Sequence, residues 1–142
     1  MRLFDVNLLI ALSWPTHRHS AVAHQWFGGL DSPDFATCGI TESAYLRLMR
    51  NAAIIPENPS ISTTLAMLER IRSAPGWRFL GDAPSPLEPG LRGIISRTHG
   101  YRQMTDAYLI GLAAHHGMRL ATLDAKLLAT FGEEHIELIP TA

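Results

Sequence analysis

The sequence predicts an α/β fold, a central parallel sheet flanked by helices on both faces. Three observations carry it. Short bulky apolar segments (Arg2–Val6, Phe35–Thr37, Trp77–Leu80, Arg119–Leu123 and Ile136–Ile139) read as strands. Between them lie stretches whose apolar residues recur at helical spacing, and strands alternating with helices call for a covered parallel sheet. The 142 residues hold no internal repeat and no linker long enough to separate domains, so one domain over 1–142 is expected.

The elements follow in order. The first strand, Arg2–Val6, is ended by polar Asn7. Leu8, Leu9, Ala11 and Leu12 then keep a helical pattern that Pro15 stops. A second helix runs from His17 to Leu30, with Gly28-Gly29 as its end signal. Ser32 to Asp34 turn into the second strand. Thr41 reads as the N-cap of a helix from Glu42 to Asn51 that places Ala44, Tyr45, Leu48 and Met49 on one face. Pro56 to Pro59 is loop, and Ser60 begins a helix through Ile61, Leu65, Leu68 and Ile71 that Pro75-Gly76 breaks. After the loop from Asp82 to Pro89, Leu87, Leu91, Ile94 and Ile95 mark a helix reaching Thr98. Thr105 reads as the cap of the next helix, with Ala107, Ile110, Gly111 and Ala114 inward and Gly117 at its end. Ala125–Thr130 is a short helix before the last strand.

Composition narrows the function. A chain 46% hydrophobic and 18% charged is globular rather than disordered. Its longest apolar run, Leu8–Leu12, is far too short for a membrane span, and no secretory signal pattern opens the chain. Cys38 is the single cysteine, which excludes an internal disulfide and a zinc quartet and favours a reducing, cytoplasmic setting. The formal charge of −1 excludes a global positive field, so any nucleic-acid contact must use a local patch.

In open parallel sheets, ligands bind beyond the carboxyl ends of the strands, which focuses the search on the acids there. Most of the thirteen acids fall in loops or polar stretches. Four do not. Asp5 interrupts the apolar run from Leu3 to Leu12, Asp124 follows the strand ending at Leu123, and Glu42 and Asp106 each follow a Thr at a helix start. Two strand ends and two helix starts can share one sheet edge. Singly, Glu42 and Asp106 would complement a helix dipole and Asp124 would cap a helix. Asp5, between Phe4 and Val6, is costly to bury without a partner. Four converging carboxylates repel one another unless a positive group joins them. No Lys or His adjoins any of the four, so the economical counter-charge is a divalent metal, Mg²⁺ or Mn²⁺ for oxygen donors.

The segments Phe4-Asp-Val-Asn-Leu-Leu-Ile-Ala11, Ala36-Thr-Cys-Gly-Ile-Thr-Glu-Ser-Ala-Tyr-Leu-Arg47, Thr105–Gly117 and Leu120-Ala-Thr-Leu-Asp124 resemble, in order and spacing, the motifs of PIN-domain nucleases. Within them the chain is most similar to VapC-type toxins of bacterial toxin–antitoxin pairs, from Arg2 to about Ile139. The resemblance implies a PIN-like three-layer fold and an acidic metal pocket in which Asp5, Glu42 and Asp106 match the core acids and Asp124 the fourth. Asn7 and Thr122 match polar positions supporting it. It also implies Mg²⁺- or Mn²⁺-dependent cleavage of structured RNA such as tRNA or rRNA, a homodimer, and a cognate antitoxin as partner.

On this reading Asp5 and Asp106 are the foremost direct ligands, Glu42 a ligand or a base, and Asp124 a ligand acting through water, with Asn7 orienting Asp5 by a hydrogen bond. Arg47, Arg50, Arg97 and Arg102, with His99, are the candidates for phosphate contact, set against ordinary solvated arginines. Tyr45 fits core packing better than base stacking. His17, His19, His115 and His116 are not assigned a metal, the last two being explained by a helix C-terminus. Trp14, Trp26, Phe27, Leu8 and Leu12 belong to the core or to an apolar surface for a second subunit or an antitoxin helix. Two other functions remain open: a phosphomonoesterase using Asp5, and a degenerate PIN-like module that binds RNA or protein without cleavage.

Overall fold

The computed structural model describes residues 1–141. Strands β1 (Arg2–Phe4), β2 (Phe35–Cys38), β3 (Trp77–Leu80), β4 (Arg119–Thr122) and β5 (Ile136–Leu138) form one all-parallel sheet in the order β3-β2-β1-β4-β5. Helices α1 (Val6–Ser13), α2 (Ser20–Gly28), α3 (Gly39–Met49), α4 (Ile61–Arg72), α5 (Pro89–Ile95), α6 (Met104–His115) and α7 (Ala125–Phe131) cover it, giving three layers. None of them is long and apolar enough to cross a membrane.

Period-two alternation along the strands divides the core. Leu3, Ala36 and Leu120 face one side, where Ile94, Ile110, Leu127 and Phe131 of α5, α6 and α7 pack on them. Phe4, Phe35 and Ala121 face the other, against Leu8, Leu9, Ala23, Tyr45, Met49 and Leu68 of α1 to α4. The central strands β1, β2 and β4 are therefore covered on both faces, as a parallel sheet demands. The α5–α6 contact is close: a Cβ on Gly111 would stand 2.8 Å from Leu91 Cγ.

The strand order places the switch at β1. The chain leaves it towards β2 and β3 on one side and returns to β4 on the other, so the carboxyl ends of β1 and β4 form the crevice such sheets use.

Several boundaries differ from the sequence expectation by one to three residues, and three of them bear on the acids. The first strand ends at Phe4 rather than Val6, because Asp5 turns the chain directly into α1 as its N-cap. Its amide still donates to the Ala121 carbonyl at 2.9 Å, so the ladder runs one residue further. Thr41 is not an N-cap. α3 starts at Gly39, and Thr41 in its first turn accepts a bond from the Cys38 amide at 3.0 Å, closing a capping box from inside the helix. Thr105 is not one either, since α6 starts at Met104 out of a 3₁₀ turn (Tyr101–Gln103) with no side-chain cap.

Candidate active site

Asp5 is held by what surrounds it. Its Oδ1 accepts from the Val6 amide at 2.8 Å and its Oδ2 from the Thr122 hydroxyl at 2.7 Å. At 5% exposure it is almost out of water. Burial pushes its pKa up; the bonds from Thr122 and Val6 pull against that, and the charge of Asp124 adds to it.

Thr122, fully buried at the end of β4, is the hub of this edge. While donating to Asp5, its oxygen accepts from the Asn7 side-chain amide at 3.3 Å and from the Asp124 backbone amide at 3.1 Å. Asn7 also accepts from the Leu123 amide at 3.3 Å. Asn7 therefore does not bond Asp5 directly, as expected from the sequence, but acts on it through Thr122. Asp124 caps α7, its Oδ1 accepting from the Lys126 amide at 3.0 Å.

Asp106 enters from α6, in the first turn and partly buried. Its pKa is raised to about 6, first by burial and then by the charges of Asp5 and Asp124. Three aspartates, the N-caps of α1 and α7 and one from the first turn of α6, thus act on one another through their charges. Among the described residues, no Lys, Arg or His side chain lies within ion-pair distance of any of them.

Glu42 is differently engaged. Its Oε2 accepts from the Thr37 hydroxyl at 2.7 Å, and its Oε1 lies 3.9 Å from Arg72. Trp77 donates to the same Thr37 oxygen at 2.9 Å, and the Arg72 guanidinium stacks 4.4 Å from the Trp77 ring centre. Glu42 thus has side-chain partners of its own, Thr37 and Arg72. Thr37, Arg72 and Trp77 escaped sequence reasoning, because α4 and β3 meet Glu42 only in the folded chain.

A groove of about 690 Å³ is walled by the start of α3 (Gly39, Ile40, Ser43), the segment after β3 (Gly81, Asp82, Ala83) and α6 (Thr105, Tyr108). Arg47 lines it from the last turn of α3. Arg50 is exposed at the C-cap of α3. Arg102 is exposed just before α6, its Nε donating to the Tyr101 hydroxyl at 3.2 Å. Arg97 is engaged in structure: it donates to the carbonyls of Thr130 and Phe131 at 3.3 and 3.1 Å and pairs with Glu134 at 3.6 Å. The His99 amide donates to the Gln103 side chain.

Tyr45 is fully buried, its hydroxyl 2.8 Å from that of Ser13, so it packs in the core. Leu8 is fully buried too. Phe27 meets Phe4 and Phe35 edge-on, and Trp26 donates to Glu137 at 3.2 Å. These aromatics are used inside the chain, with Leu12 and Phe27 also lining a 480 Å³ cleft between α1, α2 and α4.

An oxygen-only donor set, desolvated and lacking a basic partner, is what hard divalent cations take. Asp5, Asp106 and Asp124 are donors of that kind, coupled through their charges, although their carboxylate oxygens do not all lie within 4.8 Å of one another.

No protein-family model matches the chain. Ribonuclease VapC38 of Mycobacterium tuberculosis is 38% identical over 125 residues, 88% of this chain and 86% of its own length. Ribonuclease VapC39 of the same species is 37% identical over 137 residues, 96% of this chain and 98% of its own. Ribonuclease VapC29 is 33% identical over 139 residues, 98% and 96%. Among solved structures, PAE2754 from Pyrobaculum aerophilum superposes with a TM-score of 0.60 at 21% identity, covering 95% of this chain and 81% of that one. A chain of a toxin–antitoxin complex from Klebsiella pneumoniae superposes at 0.64 and 20% identity over the whole of both. The structural likenesses support the fold, and the sequence identities across most of the chain's length settle the family: the chain belongs to the VapC-type PIN-domain toxins.

Proposed function

We propose that this protein is a metal-dependent endoribonuclease, the toxin of a toxin–antitoxin pair. The observation that carries the proposal is the group of Asp5, Asp106 and Asp124, three carboxylates coupled through their charges, with the Asp106 pKa raised to about 6 and, among the described residues, no basic side chain within ion-pair distance. The relatives named Ribonuclease VapC support the activity, and the structural neighbour from a toxin–antitoxin complex supports a protein partner.

Mg²⁺ or Mn²⁺ held by these three aspartates would supply a Lewis acid for the scissile phosphate and a water acidic enough to attack at neutral pH. Such an ion keeps several waters and takes only one or two protein carboxylates, so the three need not all be direct ligands. The chain's own residues do the rest. Thr122 and the Val6 amide fix the Asp5 carboxylate in one orientation, and Asn7 keeps Thr122 aimed. Asp124 is fixed by the start of α7. Asp106, in the first turn of α6, would complete the group, its pKa raised in the ion's absence by burial and by the charges of Asp5 and Asp124. Arg47, which lines the groove, and exposed Arg102 and Arg50 would take the RNA backbone. Glu42, held by Thr37 and Arg72, braces the groove wall on this reading rather than binding metal.

The proposal includes a structured RNA substrate (tRNA or rRNA), a homodimeric toxin and an inhibitory antitoxin. It is tested with protein freed of any antitoxin. Cleavage of tRNA or rRNA with Mg²⁺ or Mn²⁺, leaving 5′-phosphate and 3′-hydroxyl ends and stopping in EDTA, is expected. Undiminished cleavage in excess EDTA overturns the metal; RNA bound but never shortened favours the degenerate binding module. Phosphate released from a small monoester without RNA cleavage favours the phosphomonoesterase.

A further inference from the structure

We propose that Asp82, His115 and His116 form a second cation site, separate from the aspartate group and suited to a borderline transition ion such as Zn²⁺. One donor atom from each of the three lies within 4.8 Å of the others. The segment after β3 supplies Asp82, and the last residue and the C-cap of α6 supply the histidines. His115 Nε2 already stands 2.8 Å from Asp82 Oδ2, and the two imidazole rings sit edge to face with centres 5.2 Å apart.

The chemistry differs from that of the aspartate group. Two imidazoles and one carboxylate are the donors Zn²⁺ takes, whereas Mg²⁺ prefers oxygens alone. Donors in a tetrahedral zinc site stand about 3.3 Å apart for bonds near 2.0 Å, so small side-chain rotations from the present spacing complete three bonds. The fourth position would hold water. The side chains of Asp82 and His115 are 59% and 39% exposed, which leaves the site open to an ion from solution. His116 Nε2 is buried with no hydrogen-bond partner, so the protein does not tie this ring through that nitrogen.

Place in the fold separates the two sites. His115 follows Asp106 by nine residues, about 13 Å along the axis of α6 at 1.5 Å per residue. An ion there would tether the segment after β3 to the end of α6. That segment walls the groove, and its only other side-chain bond to α6 among the described residues is from the Tyr108 hydroxyl to the Pro84 carbonyl at 2.9 Å.

The test is a Zn²⁺ titration of the full, untagged chain against a zinc-chelating dye, with Mg²⁺ in large excess. One Zn²⁺ per chain is expected. His116→Gln and Asp82→Asn should each weaken binding at least about tenfold, and Asp106→Asn should leave it unchanged. Zinc should also raise the Tm of the wild type and not of His116→Gln. Should His116→Gln fail to fold without zinc, exposed Asp82→Asn carries the same readout. No uptake, uptake surviving both substitutions, or uptake lost with Asp106→Asn overturns the site.

Discussion

Asp106→Asn leaves the chain folded and lowers RNA cleavage by about 10²–10³-fold, the usual loss when one preorganised electrostatic group is removed from a reacting centre. The expectation rests on the field Asp106 shares with Asp5 and Asp124. An amide keeps the size of the side chain and removes the charge a cation needs. Asp5→Asn should lose as much, and its fold should survive because the remaining carbonyl oxygen still accepts one of the bonds from Val6 and Thr122. Thr122→Val should cost less, about 10–100-fold, the range for residues that orient a metal ligand. It removes the donor to Asp5 and the acceptor for Asn7 and the Asp124 amide together. Single-turnover cleavage of one RNA by the three variants, with circular dichroism as the fold control, measures the series. Equal losses for all three would mean that Thr122 is itself in contact with the reaction.

The second large effect is on stability. Burial and the charges of Asp5 and Asp124 raise the Asp106 pKa from the ordinary 3.8 to about 6, and Asp5 is shifted the same way. Between these values the folded state binds more protons than the unfolded one, so stability is greatest below about pH 4 as far as this group is concerned and falls as pH rises through 6. A shift of about two units corresponds to at most ~3 kcal/mol. Discounted for the solvent that still reaches Asp106, about 1–2 kcal/mol remains over the full range, and a little under half of it, about 0.5–1 kcal/mol, is lost between pH 5 and pH 7, a Tm lower by about 1–4 °C at pH 7 than at pH 5. Metal-free protein should show this decline, Asp106→Asn should flatten it, and Mg²⁺ should restore the Tm at pH 7. A metal-free Tm that rises from pH 5 to pH 7 in the wild type, as carboxylates paired with arginines would give, contradicts it.

Much of the fold was legible in the sequence. All five strands and seven helices sit where apolar pattern and Gly or Pro breaks put them, because burial on both faces of a parallel sheet leaves bulky apolar runs. What sequence rules missed is how closely elements join. The run from Leu3 to Leu12 reads as strand, gap and helix, yet Asp5 ends the one and caps the other with no loop between. Thr41 looks like a cap because hydroxyls favour that place, but it bonds backwards from inside the helix.

The site divides the same way. Asp5, Asp106 and Asp124 stood out as acids at strand ends and helix starts, positions that topology gathers at one edge. Glu42 stood out by the same rule and yet has Thr37 and Arg72 as its partners, because Arg72 comes from the end of α4, thirty residues on. Asp82 and His115 are 33 residues apart in the chain, so their pairing at 2.8 Å carries no sequence signal.

Mn²⁺ binding followed by electron paramagnetic resonance tests the aspartate group most directly. Wild-type protein and His116→Gln should each bind at least one Mn²⁺ with the same affinity, and Asp106→Asn should bind at least about tenfold more weakly. Equal affinity in Asp106→Asn, or no Mn²⁺ bound by the wild type at millimolar concentration, would contradict the account.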